Sequence, residues 1–362
     1  MTLPNQLLAN RGGTRMIFAR AIAILLLGPA CPAIAVASGA PLGDTAIVSR
    51  EAWRPPFATR AGWLAFVART PNGADSARDY ANLYSKDNYD RWTQGRTVAI
   101  SRIVYRSGGL AIRGLLIEPR KAGRYPVLIF NHGGVGQWGR IIVPDILEMS
   151  RLAERGYVVL ASTFRGEGGS EGKPDMGGGD VADTLALIDV AATLPGADTR
   201  RVGMWGVSRG GLTTYAALAK SRRIAAAVIE GGPTDLVHAA RRPEFDAHVY
   251  PDVIPGYLAD REGVLAARSP LDWPERLSPS AAILILHGGD DPRVEPNDAL
   301  RMAEALQRLK RSYRLKIYEG GGHDLIGNMA DVRAEMDRWF DRYVRDRMVP
   351  PPNSATPLAD EA

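Results

Sequence analysis

Cysteine is almost absent: Cys31 is the only one in 362 residues. It falls in a stretch read as a removable leader, so the mature chain is expected to hold no disulfide and no thiol nucleophile. That excludes the Cys–His class of mechanism. Histidine is scarce too, with five, at positions 132, 238, 248, 287 and 323. None shows ligand spacing with other His, Asp or Glu, so no metal site is read. No phosphate loop or dinucleotide-binding unit is read either, and no cofactor is expected. An excess of one charge is also missing. Taking away Arg11, Arg15 and Arg20 with the leader brings the formal charge from +5 to about +2, too little for a nucleic-acid surface.

A long unbroken apolar run is lacking as well. Those three arginines precede Ala21-Ile-Ala-Ile-Leu-Leu-Leu27, and Ala35-Val-Ala37 offers a small-residue cleavage site. Residues 1–37 therefore read as a signal peptide, which places the mature protein in the periplasm or outside the cell. The alternative is an uncleaved N-terminal membrane anchor, but Pro29 and Pro32 interrupt a run already shorter than the ~20 residues a spanning helix needs. A lipoprotein reading of Cys31 wants Leu where Gly28 stands. No stable membrane insertion is expected after cleavage. About 320 residues remain, enough for one large domain with an N-terminal appendage.

Residues 41–95 look irregular and rich in tryptophan (Trp53, Trp63, Trp92), and are read as a short helical or loop segment packed on the domain that follows, 96–347. A hairpin is predicted from Val98 to Tyr105, through Ser107-Gly-Gly109, to Ile117. Strands and helices then alternate, the mark of a mostly parallel sheet covered on both faces. Predicted strands are 126–131, 157–161, 201–207, 224–229, 281–286 and 313–318. Predicted helices are 144–155, 180–193, 210–220, 296–310 and 329–345, with Asp180 as an N-cap. Residues 232–280 break the alternation and read as a lid-like insertion. Residues 348–362, rich in proline, are expected to be disordered.

Gly206-Val-Ser-Arg-Gly210 joins one of these strands to the next helix. Glycines flanking Ser208 permit a sharp strand-to-helix turn that lifts its hydroxyl above the sheet, with helix N–H groups behind it. A serine hydroxyl needs a base, and the base needs an orienting acid. Only His323 follows both the serine and a carboxylate in the order Ser, acid, His. Asp291, after strand 281–286, is the candidate acid, and Asp290 beside it competes. Because parallel strands bring their C-terminal ends to one edge, His132, Arg165, Ser208, Asp291 and His323 should converge there.

The segments Asn131-His-Gly-Gly134, Phe164-Arg-Gly-Glu-Gly-Gly-Ser170, Gly206-Val-Ser-Arg-Gly-Gly211, Ser269-Pro-Leu271, His287-Gly-x-x-Asp-x-x-Val294 and Gly320-Gly-Gly-His323 together resemble the catalytic domain of the prolyl oligopeptidase family of serine peptidases. The resemblance runs from about Val104 to Tyr343. It implies an α/β-hydrolase fold, the triad Ser208, Asp291 and His323, and oxyanion donors at the backbone N–H groups of Arg209 and Gly134. It also favours Asp291 over Asp290. Family members carry a β-propeller ahead of this domain, and about 60 residues are too few for one, so peptide specificity follows less directly than hydrolysis. A short peptide is the leading substrate class and a small or aromatic ester the alternative. A non-catalytic binding protein on the same scaffold would be expected to have lost a triad member. Arg165, Arg241, Phe245 and Tyr250 are candidate substrate-binding residues, the last three in the lid-like segment.

Overall fold

The computed structural model describes residues 46–351 apart from 72, 137 and 138. The leader read at 1–37 and all but the start of the tail lie outside the described residues.

The first strand comes from the segment expected to be irregular. β1 (Ile47–Ala52) lies antiparallel along β2 (Val98–Ser107), with Ser49 opposite Val104 and Ala52 opposite Ser101. Its sequence, Ile-Val-Ser-Arg-Glu-Ala, gave little sign of this, because an edge strand buries little and needs few apolar residues. Between these strands run α1 (Arg60–Ala68), α2 (Gly73–Leu83) and α3 (Lys86–Thr93). Thr59 and Ser85 cap α1 and α3 by accepting from the N–H groups of Gly62 and Asn88.

β2 turns through Gly108 and Gly109, both at positive φ, into β3 (Leu110–Pro119). That conformation suits a two-residue hairpin and is open to glycine at little cost. β3 pairs antiparallel with β5 (Val158–Ser162), where the parallel part of the sheet begins. It continues through β4 (Tyr125–Asn131), β6 (Ala197–Val207), β7 (Ile224–Glu230), β8 (Ala282–Gly288) and β9 (Tyr313–Tyr318). The order across all nine strands is β1-β2-β3-β5-β4-β6-β7-β8-β9.

The central strands are buried on both faces, and their side chains alternate between two cores. Val127 and Ile129 of β4 face one way, with α5 (Gly179–Ala192), α6 (Arg209–Lys220) and α11 (Pro296–Arg308). Leu128 and Phe130 face the other, with α4 (Val143–Glu154) and α12 (Met329–Phe340). Trp63, Tyr84, Tyr89 and Trp92 of the N-terminal helices belong to this second core. The insertion between β7 and β8 carries α7 (Leu236–Ala239), α8 (Pro243–His248), α9 (Tyr250–Val253) and α10 (Arg261–Ala266) over a small third core that it shares with Met176 and with Leu212 of α6. This is the α/β-hydrolase fold, extended by one antiparallel strand at an edge.

Candidate active site

Ser208 sits between β6 and α6 at φ 55° and ψ −122°, a strained conformation for a residue with a side chain. The sequence makes the turn possible through its flanking glycines. A methyl group on Gly206 would lie 2.0 Å from the Gly210 carbonyl oxygen, and one on Gly210 would lie 1.9 Å from that of Asn131. The Ser208 N–H donates to the Glu230 carbonyl at 2.8 Å, which ties the elbow to the end of β7. α6 begins at Arg209; the Gly211 N–H donates back to the Ser208 carbonyl at 2.8 Å, which leaves the N–H groups of Arg209 and Gly210 without an acceptor in the helix and able to face an anion.

β8 and β9 are parallel to β6, so the loops after them reach the same edge. Asp291 lies in the loop after β8 and His323 in the loop after β9. Asp291 Oδ2 accepts from His323 Nδ1 at 2.7 Å, and Oδ1 accepts from the N–H groups of Arg293 and Val294 at 2.8 and 3.0 Å. His287, fully buried, places Nε2 2.9 Å from the Val294 carbonyl and 3.3 Å from Asp291 Oδ2. Burial pushes the Asp291 carboxyl up, but hydrogen bonds from His287 and His323 outweigh it and hold the group well below the usual carboxylate range. Asp290 is exposed, its N–H spent on the Gly321 carbonyl. Of the two neighbouring aspartates, only Asp291 touches His323.

The His132-Gly133-Gly134 turn after β4 passes directly over the serine: a methyl group on Gly133 would lie 3.3 Å from Ser208 Cβ. His132 points inward, its ring 4.5 Å from that of Phe164, and burial holds its pKa down at about 4. It is a neutral packing group at ordinary pH.

The four candidate substrate residues are placed differently. Arg165 does not project into a pocket; its backbone N–H, Nε and Nη2 all bind the carboxylate of Asp183 in α5, at 3.0, 3.0 and 2.8 Å. Tyr250 is 3% exposed and packed between Phe245 and Tyr257 inside the insertion, so it too is structural. Phe245 is half-buried on top of it and Arg241 is exposed. Asp180, expected to cap α5, lies inside its first turn, where Gly178 is the cap. Its carboxylate instead accepts from Arg209 Nη2 at 3.2 Å.

Sequence reasoning passed over Glu167 and His287. Both sit in segments quoted only for their resemblance, Phe164–Ser170 and His287–Val294. The signal available for His287 was a polar residue inside an apolar strand, β8; Glu167 lies in the loop after β5 and offered no such signal.

The sequence pattern of the prolyl oligopeptidase family matches residues 145–347, more than half the chain, and the chain belongs to that family. It is a serine hydrolase. The uncharacterized peptidase YtmA of Bacillus subtilis is 27% identical over 227 residues, covering 62% of this chain and 86% of that protein. Among solved structures, Pyrococcus horikoshii acylaminoacyl peptidase is similar at a TM-score of 0.61 and 24% identity, covering 71% of this chain and 44% of that one. This chain thus spans less than half the length of that peptidase. Acetyl xylan esterase 1 from Thermoanaerobacterium shares the fold at a TM-score of 0.52 and 18% identity, over 67% of this chain and 83% of the esterase.

Proposed function

We propose that this protein is an exported serine peptidase that cleaves short peptides through an acyl-enzyme on Ser208. The observation that carries the reading is the 2.7 Å hydrogen bond from His323 Nδ1 to Asp291, at the sheet edge where the Ser208 elbow stands. With Nδ1 held by Asp291, the Nε2 of His323 is the base that takes the Ser208 proton. Ser208 Oγ then bonds to the substrate carbonyl carbon, and the carbonyl oxygen becomes an oxyanion. The Arg209 and Gly134 N–H groups donate to it, each worth about 3–4 kcal/mol if removal costs resemble those of other serine hydrolases. His323 returns the proton to the leaving amine as the C–N bond breaks. A water molecule activated by the same base then releases the acyl group.

Membership of a peptidase family supports a peptide substrate, and the leader sequence supports export. The test uses the mature chain with a fluorophosphonate and a panel of aminoacyl amides and chromogenic esters. Labelling and turnover should both disappear in Ser208→Ala, with turnover falling about 10⁴-fold or more. Labelling that persists in that variant overturns the assignment. Ester turnover without amide turnover moves the function to a carboxylesterase, a chemistry the acetyl xylan esterase performs on the same fold. N-terminal sequencing of secreted protein beginning near residue 38 checks the leader, and an intact N-terminus on membrane-bound protein overturns it.

A further inference from the structure

Arg209 is adjacent to the nucleophile, yet its side chain is only 3% exposed. Nη1 donates to Glu167 Oε1 at 2.6 Å and to the Gly134 carbonyl at 3.2 Å. Glu167 Oε1 also accepts from the Gly136 N–H at 3.0 Å, and the guanidinium lies 4.8 Å over the Phe164 ring. One carboxylate oxygen therefore ties Arg209, which carries one of the two oxyanion donors, to the Gly134–Gly136 loop, which carries the other.

Stability does not account for this cluster. Burying a guanidinium with two carboxylates costs several kcal/mol per ion, and apolar residues of like volume usually serve stability as well or better. Here Glu167 Oε2 and Arg209 Nε are moreover buried with no hydrogen-bond partner among the described residues. Geometry is what the cluster supplies. Gly133, Gly134 and Gly136 leave the loop from His132 to Gly136 little stiffness of its own. Gly136 donates its N–H to the Glu167 carboxylate, and a methyl group on Gly139 would lie 2.6 Å from Oε2.

We propose that the side chains of Arg209 and Glu167 are positioning residues that clamp the oxyanion loop against the start of α6 and so hold the two backbone donors in register. The proposal rests on the reading of Arg209 and Gly134 as the oxyanion donors. Neither side chain touches substrate; both act through the loop.

The test compares Glu167→Ala and the apolar triple variant Arg209→Met/Glu167→Met/Asp180→Leu with the parent. The probes are p-nitrophenyl acetate and a matched pair of inhibitors, an alkyl trifluoromethyl ketone and the methyl ketone of the same chain. The fluorinated ketone adds Ser208 Oγ to its carbonyl carbon, passing the serine proton to His323 and leaving an oxyanion in the hole. The methyl ketone reports shape alone. Both variants should lose about 10- to 100-fold in kcat with KM little changed, since small misplacements of catalytic groups cost up to about 10²-fold. Affinity for the trifluoromethyl ketone should fall by the same factor and methyl ketone affinity should hold. The triple variant should keep its Tm, which separates the clamp from a folding role. A folded variant within twofold of the parent in kcat and trifluoromethyl ketone affinity overturns the proposal, as does a triple variant that fails to fold. If the parent binds both ketones equally, the oxyanion reading itself is wrong, and the clamp falls with it.

Discussion

At the scale of single residues, the site depends on backbone positions that admit no side chain. Gly206→Ala or Gly210→Ala would push a methyl group to about 2 Å from a carbonyl oxygen that belongs to the elbow or to β4. Each should cost at least about 2 kcal/mol in urea unfolding, a typical overpacking penalty, and lower activity with it. The aspartates separate cleanly. Asp291→Asn should lower kcat by about 10³- to 10⁴-fold through loss of the His323 tautomer and orientation, whereas Asp290→Asn, at the surface, should leave kcat nearly unchanged. A reversed ranking would move the acid by one position. Glu230 makes a pH prediction. Burial pushes its carboxyl from 4.5 up to about 8, against the hydrogen bond donated by Trp205 Nε1. Its folded pKa is raised, so its contribution to stability is fully present below about 4.5 and is lost as pH rises through about 8. Glu230→Gln keeps an acceptor for Trp205 and removes the titration. Between those pH values its unfolding free energy should fall less than the parent's, by about 1.4 kcal/mol or more.

At the scale of elements, the insertion between β7 and β8 is less of a free lid than its sequence suggests. Arg242 Nη1 donates to the carbonyls of Pro292 and Arg293 at 3.1 and 2.9 Å, next to Asp291. Val135, beside Gly134, packs on the insertion's core. The segment therefore braces both sides of the site, while its helix α8 packs on α9 within the insertion. Removing 243–248 with Arg242 left in place should lower kcat/KM for larger substrates and spare a small activated ester, because remote contacts chiefly orient large substrates. Arg242→Ala should instead slow both alike, by roughly threefold to tenfold, as the Asp291 loop loosens. Equal losses from the two changes would show that α8 also supports the chemistry. The irregular composition of 232–280 gave no hint of the Arg242 contact, because a single arginine reaching a distant carbonyl leaves no periodicity to read.

At the scale of the whole molecule, the N-terminal segment is part of the structure rather than an accessory. β1 extends the sheet, Trp63 stacks between Tyr80 and Tyr89, and the Tyr84 hydroxyl donates to the buried Glu148 of α4 at 2.8 Å. Glu148 is further paired with Arg151 and with Arg333 of α12, so three parts of the chain meet at one carboxylate. Deleting 46–95 would uncover that charged group and much of the second core. The truncated protein should be insoluble or melt well below the parent in a thermal scan, and an unchanged Tm would reduce the segment to a passive attachment. The position of the elbow, the order Ser208, Asp291, His323 and most of the parallel strands were legible in the sequence. They depend on local rules: continuous apolar runs for doubly buried strands, glycines for a strained turn, and the chain order of the triad. What only the tertiary structure decided depends on distance across the fold. It tied Arg165 to Asp183, buried Tyr250 inside the insertion, recruited β1 to the sheet edge, and buried Arg209 between Glu167 and Asp180. Those partners lie 29 to 42 residues from Arg209, and nothing local marks which carboxylate a buried guanidinium will meet once the strands have closed.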